Sequence, residues 1–184
     1  MNKNARVIVS GFGGQGVMMV GQVLAYAGVE AGLNSLWYPS YGPETRGGTA
    51  HCAVSLSTQI IGSPVFSTAT AALVFNRPSL EKFAGKIDSN GVLFFNASLI
   101  TDAESIPSKG KRFGVPIYEM AAKLQDSRVA NMILMGVYLE QSQILDDAMI
   151  RLGIEHVLGP SKLHLVELNM QAVQAGRDYF KNLL

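Results

Sequence analysis

The chain has 184 residues, of which 15 are Lys or Arg and 14 are Asp or Glu. That charged fraction of 16% compares with about 25% in an ordinary soluble domain. A net charge of +1 gives no electrostatic case for nucleic acid or an anionic membrane, and no run of about 18 uncharged apolar residues offers a membrane span. Cys52 is the single cysteine, so the chain by itself holds no disulfide and no iron–sulfur or zinc centre.

The length fits one domain, residues 1–184, with a sizeable core. The opening Met1-Asn2-Lys3-Asn4-Ala5-Arg6 runs straight into a strand-like segment without a secretory leader, so a reducing cytoplasm is the expected setting. The charges are unevenly placed. Between residues 7 and 76 only Glu30, Glu44 and Arg46 are charged, whereas the last 84 residues hold 19 charges. A free monomer keeps its surface wet with Lys and Glu, so the first stretch is expected to be covered by something else and the late helices to face water.

Arg6-Val7-Ile8-Val9-Ser10 reads as a buried strand. It ends in Gly11-Phe12-Gly13-Gly14-Gln15-Gly16, followed by an apolar helix from Val17 to about Ala31 that Gly32 and Asn34 close. Ser35–Tyr38 is a second strand. After the loop from Pro39 to Gly48, Thr49–Ser57 alternates apolar and polar residues, which predicts a half-exposed antiparallel strand at one side of the sheet. Ile60-Ile61 and Gly62-Ser63-Pro64 read as its hairpin partner and that partner's end. Ala72–Asn76 and Gly91–Asn96 are further buried strands, with a short helix at Ser79–Ala84 between them, and Val115–Tyr118 is a sixth, short strand. Helices follow at about Met120–Gln125, Val129–Gln141, Ala148–Leu158 and Lys162–Asn182, with Ser161 the expected N-cap of the last. Strands alternating with helices predict a three-layer α/β/α sandwich with a mixed, mostly parallel sheet.

The run Gly11–Gly16 fits G-x-G-x-x-G between a strand and a helix. Glycines allow a tight turn and close backbone approach, and a helix N-terminus offers free N–H groups to an anion. A dinucleotide also needs a carboxylate at the end of the second strand, and Tyr38-Pro39-Ser40-Tyr41 has none. Three readings stay open: a dinucleotide, another phosphate-bearing ligand, or a turn packed closely on a neighbouring chain. The last has the most weight. In the second loop Glu44 and Arg46, followed by Gly47 and Gly48, either pin their own turn or reach a ligand or subunit. His51 and Cys52 are neighbours on a strand, point to opposite faces and cannot form a nucleophile–base pair. Cys52 shares the apolar face and reads as a buried, inert thiol. No catalytic set and no metal-ligand cluster emerges.

Taken together, Gly11–Gly16, Ser40–Cys52 (S-Y-G-P-E-x-R-G-G-T-A-x-C), Gly62–Val65 and Asn76-Arg77-Pro78-Ser79-Leu80 resemble the gamma subunit, or gamma domain, of 2-oxoacid:ferredoxin oxidoreductases. His51 departs from the small polar residue more usual there. The resemblance implies a heteromeric enzyme that decarboxylates a 2-oxoacid on thiamine diphosphate and Mg. Electrons pass through iron–sulfur clusters to ferredoxin or another acceptor, and the acyl group goes to coenzyme A. Those groups belong to alpha, beta and ferredoxin-like delta subunits. This chain is then structural or coenzyme-A-contacting through Gly11, Gly13, Gly14, Gln15, Gly16, Glu44, Arg46, Gly47 and Gly48, carries no catalytic residue and is inactive alone. The family lean is toward 2-oxoglutarate, ahead of branched-chain 2-oxoacids and pyruvate. The alternative is a free-standing Rossmann-like nucleotide-binding enzyme built on Gly11–Gly16.

Overall fold

The computed structural model describes residues 4–40 and 49–183. Six strands, β1 (Asn4–Gly11), β2 (Asn34–Ser40), β3 (Ala50–Ser57), β4 (Ala69–Val74), β5 (Ile87–Asn96) and β6 (Lys111–Val115), form one sheet in the order β2-β3-β1-β4-β5-β6. Pairing is antiparallel for β2–β3 and β3–β1 and parallel for β1–β4, β4–β5 and β5–β6. The sheet is mixed and mostly parallel, as its residue pattern predicts. Six α-helices accompany it: α1 (Val17–Glu30), α2 (Arg77–Phe83), α3 (Ile117–Lys123), α4 (Ala130–Ser142), α5 (Asp147–Leu158) and α6 (Val166–Lys181).

Local chemistry sets the helix ends. At the close of α1, Gly32 takes φ +71°, its N–H reaches Val29 O, and Leu33 N–H reaches back to Gly28 O. This six-to-one and five-to-two pair satisfies the last carbonyls of the helix. The Asn76 side chain accepts from Ser79 N–H at 2.9 Å to start α2, and Asp146 accepts from Met149 N–H at 3.0 Å to start α5.

The two sheet faces are covered unequally. One face, with Val7, Val9, Val54, Leu73 and Phe94, packs on α1, α3 and α4, and α5 and α6 form a further layer outside these. The α4–α6 crossing brings backbones together. A Cβ on Gly136 would lie 2.1 Å from Val173 O, and one on Gly176 would lie 2.1 Å from Ile133 O. The other face, with Ile8, Ala72, Val74 and Leu93, packs on α2, Ile100 and Ala103. On that face α2 reaches β3 through Phe83, whose ring lies 4.9 Å from that of His51, while Tyr38 of β2 is 48% exposed.

Five expectations need correction. β3 is antiparallel and at one side of the sheet, as expected, but it is not half-exposed: β1 and β2 flank it, and Ser55 and Ser57 on its polar side are buried. Ile60 and Ile61 form no strand, because β1 and β2 already take both edges of β3. The sixth strand is Lys111–Val115, and Ile117-Tyr118 opens α3, since Pro116 lacks the N–H that a ladder needs and suits a helix start. Ser161 is not an N-cap: a 3₁₀ turn over Pro160–Leu165 precedes α6, and Gly159 stands before it. The late helices are not uniformly solvated, because α4 is buried along Ala130–Leu139 between the sheet and α6.

Candidate functional site

After β1 the chain leaves into α1 on one face of the sheet, and after β4 it leaves into α2 on the other. A crevice opens beyond adjacent parallel strands where successive connections diverge in this way. The Gly11–Gly16 loop sits at that point. Gly14 and Gly16 take φ +88° and +76°, values at which a Cβ is strained.

The Gln15 side chain plugs the crevice. Its Oε1 accepts from Phe12 N–H at 2.7 Å and from Asn76 Nδ2 at 3.2 Å. Its Nε2 donates to Phe75 O at 3.4 Å and to the Tyr118 hydroxyl at 3.2 Å. The loop is thereby tied to the end of β4, the cap of α2 and the first turn of α3. Asn96, at the end of β5, donates to Phe75 O at 3.3 Å. The Ser98 hydroxyl accepts from Tyr118 N–H at 3.1 Å and donates to Glu119 in a short bond that holds the Glu119 carboxyl below its ordinary range.

The four loop glycines do different work. A Cβ at Gly11 would fall 2.7 Å from Gln15 Oε1, and one at Gly16 would fall 2.1 Å from Asn131 Nδ2, so these two are packing glycines. Gly13 and Gly14 meet nothing within 4 Å. Their backbone is open to a molecule arriving from outside. Beside them lies a cavity of about 260 Å³ lined by Gln15, Phe75, Tyr118, Arg128 and Asn131 among others. The start of α1 and the start of α4 both come to this place, and two helix N-termini favour negative charge. Arg128 at the rim is engaged by Asp126, with Nε at 2.9 Å from Oδ1 and Nη2 at 2.6 Å from Oδ2. That fork holds the Asp126 carboxyl down at about 2.

Of the residues singled out in the sequence, Gly11, Gly13, Gly14, Gln15 and Gly16 come together here. Glu44, Arg46, Gly47 and Gly48 lie outside the described residues. Sequence reasoning missed Asn76, Asn96, Tyr118 and Asn131. The available signal was that two apolar strand runs each end in Asn, a residue that bonds backbone groups where a ladder stops. Cys52 is fully buried under α1, where its thiol donates to Val17 O at 3.6 Å and burial pushes it up to about 12. His51 points to the opposite face and packs on the Phe83 ring, centroids 4.9 Å apart. Among the described residues no three His, Cys, Asp or Glu side chains cluster to hold a metal. No helix there is long and apolar enough to cross a membrane.

Topology disposes of the dinucleotide arrangement. In that fold the second strand lies directly beside the first and brings its carboxylate to the ribose. Here β3 is inserted between β1 and β2, and no acidic residue ends β2. What the fold and crevice define is an α/β domain with open backbone amides, two helix starts and side-chain amides at one crevice, and with no nucleophile–base pair among the described residues.

The chain belongs to the pyruvate ferredoxin/flavodoxin oxidoreductase family, which it matches over residues 6–179. It is 34% identical over 183 residues to the ketoisovalerate oxidoreductase subunit VorA of Methanothermobacter marburgensis, covering 99% of this chain and 38% of that one. The chain thus spans little more than a third of the length of VorA. It is 28% identical over 184 residues to the 2-oxoglutarate synthase subunit KorC of the same organism, covering 97% and 96%. Two solved structures share the fold. The gamma subunit of a keto/oxoacid ferredoxin oxidoreductase from Geobacter sulfurreducens PCA superimposes with TM-score 0.81 at 23% identity, over 97% of this chain and 99% of that one. A 2-oxoglutarate:ferredoxin oxidoreductase from Magnetococcus marinus, solved with 2-oxoglutarate, coenzyme A and succinyl-CoA bound, superimposes with TM-score 0.87 at 22% identity, over 99% of this chain and 32% of that one.

Proposed function

We propose that this chain is the gamma-type subunit of a heteromeric 2-oxoacid:ferredoxin, or other acceptor, oxidoreductase. It works in the cytoplasm as one domain over residues 1–184, with alpha, beta and ferredoxin-like delta subunits. The assembled enzyme converts a 2-oxoacid to its acyl-CoA, and the Gly11–Gly16 crevice contacts coenzyme A. The observation that carries this reading is the open backbone of Gly13 and Gly14 beside two helix N-termini and a cavity lined by amide and hydroxyl groups. Coenzyme A brings phosphates that suit helix starts and an amide-bearing arm that suits Gln15, Asn131 and Tyr118. A cavity of about 260 Å³ takes one portion of such a molecule, so the rest lies against other subunits.

The same residues do not fit thiamine diphosphate or an iron–sulfur cluster. The only thiol is buried, and no acidic cluster stands among the described residues to hold the metal of a diphosphate. Those groups, with their Mg, are placed in the companion subunits. What this chain does is position: its loop is fixed by Gln15 and offers donors to an anionic ligand without moving a proton.

The end-to-end match to a 2-oxoglutarate synthase subunit supports 2-oxoglutarate as the first substrate to try. The higher identity to a ketoisovalerate oxidoreductase subunit supports a branched-chain 2-oxoacid as the second. The test is co-expression with the companion subunits, followed by coenzyme-A-dependent viologen reduction with 2-oxoglutarate, ketoisovalerate and pyruvate in turn. Activity that depends on this chain is expected. A chain that stays monomeric in the presence of thiamine-dependent subunits overturns the proposal.

A further inference from the structure

Among the described residues, Arg77, Arg112, Arg128, Arg151 and Arg177 each sit in an ion pair. Arg6 has none, and its Nε is buried without a hydrogen-bond partner. It lies near the start of β1, the strand between β3 and β4. Its cross-strand partner is Ser55, and Ser57 follows on the same face. That is the face on which Ile8 and Ser10, further along β1, meet α2. Arg6 opens into a cavity of about 170 Å³ that it shares with Ser55, Ser57, Ser63, Ile60 and Phe66. Neither β3, β4 nor residues 58–68 contain an Asp or Glu, so no neighbouring strand can neutralise the guanidinium.

An unpaired, partly desolvated arginine is costly to keep inside a sheet. The cavity it lines also carries the apolar side chains of Ile60, Ile61 and Phe66, and Ile60 is 91% exposed. An arginine beside aliphatic and aromatic side chains in one cavity is the anatomy of an interface anchor. We propose that Arg6 is the anchor of this chain's docking face and receives the carboxylate of an Asp or Glu side chain from a companion subunit of the oxidoreductase complex. The planar fork of arginine grips a carboxylate with two parallel bonds. A protein side chain is favoured over a free anion because a lone phosphate would neutralise Arg6 and leave Ile60 at the rim of the same cavity wet. The inference rests on the reading of this chain as a complex subunit, and it assigns the contact to the face of the sheet that carries Arg6.

The test measures association of Arg6→Gln, Arg6→Glu and Ser55→Glu chains with the co-expressed companion subunits, alongside melting of each chain alone. Losing one member of a desolvated charge pair weakens association by about 30-fold or more, and this is expected for both Arg6 variants. Ser55→Glu places a carboxylate opposite Arg6 within the chain, so it should raise the melting temperature of the isolated chain while weakening assembly. Wild-type affinity in the Arg6 variants overturns the proposal and leaves the subunit reading standing. A wild-type chain that finds no companion overturns both. A melting temperature that falls in Arg6→Gln assigns the arginine to the chain's own stability and overturns it. So does stabilisation of the isolated chain by inorganic phosphate that vanishes in Arg6→Gln while assembly is unchanged.

Discussion

Gly13 and Gly16 stand three residues apart in one loop, yet alanine at each should read out a different property. At Gly16 the backbone is at φ +76°, ψ 18°, where a Cβ costs about 1–2 kcal/mol. The new methyl would also fall 2.1 Å from Asn131 Nδ2 and 2.8 Å from its Cγ. Asn131 is buried and cannot swing away freely, so its 3.4 Å bond to Gly16 O is lost as well. The sum is about 2–4 kcal/mol, or a melting temperature lower by about 5–15 °C in a chain of this size. At Gly13 the methyl meets nothing within 4 Å and φ is not in the left-handed region. Stability should change by no more than about 0.5 kcal/mol, and in the stabilising direction if the unfolded chain loses freedom. If the loop contacts coenzyme A, that methyl stands where the ligand approaches. The KM for coenzyme A of the assembled enzyme should then rise about tenfold, equivalent to about 1.4 kcal/mol, with the KM for the 2-oxoacid unchanged. Differential scanning calorimetry of the isolated variants and steady-state kinetics of the complexes separate the two effects. An unchanged coenzyme A KM in Gly13→Ala refutes ligand contact at the loop, and a large melting loss there refutes the open geometry.

Three further outcomes are expected. Gln15→Leu removes the acceptor of Phe12 N–H and the ties to Asn76, Phe75 and Tyr118, which should cost about 1–3 kcal/mol and speed hydrogen exchange across residues 11–16 relative to the body of α1. Asp126, held at about 2 by the side chain of Arg128, has a native value depressed below its unfolded one. The stabilisation it brings is therefore complete above the ordinary carboxylate range and is lost as pH falls toward about 2; carboxyl NMR titration should show the low midpoint and its return toward the ordinary range in Arg128→Ala. The Cys52 thiol, pushed up to about 12 and buried, should resist a thiol-specific disulfide reagent at pH 8 in the native chain and react on unfolding; rapid native reaction would place it at the surface.

The strands and the glycine loop were legible because local pattern decides them. Val7–Val9, Ala72–Val74 and Val92–Phe95 are apolar enough to be buried on both sides, and a strand followed by Gly11–Gly16 and an apolar helix has few other geometries. The position of β3 was not legible. Its alternation of polar and apolar residues reads as a half-exposed strand, but Ser55 and Ser57 on the polar side are buried and His51 packs on Phe83 of α2. Alternation reports which faces are apolar and says nothing of which edges are paired. Val115–Tyr118 failed for a different reason. Its β-branched residues suit a strand, but Pro116 interrupts the ladder and Ser98, distant in sequence, receives Tyr118 N–H and fixes the start of α3. The side chains that complete the crevice, Asn76, Asn96, Tyr118 and Asn131, come from four separate elements, and their convergence depends on sheet order, which no local pattern encodes.

Scarcity of charge had two physical causes in this chain, and only exposure tells them apart. Ala130–Leu139 carries no charge and is buried within the chain, sandwiched between the sheet and α6. Residues 7–76 also carry almost none, yet Phe12, Tyr26, Val29, Tyr38, Ile60 and Val65 all leave large apolar side chains in water there. Burial inside the fold accounts for the first stretch and cannot account for the second. A subunit that keeps a covered surface also needs something on that surface to set its register, because apolar contact has no direction of its own. Charge pairs supply such direction. Arg6 is the one charge among the described residues of β1, β3 and β4, and that isolation is what makes it fit for the purpose: a single unpaired cation on otherwise uncharged strands admits one docking position for a carboxylate, whereas strands crowded with charges would admit several.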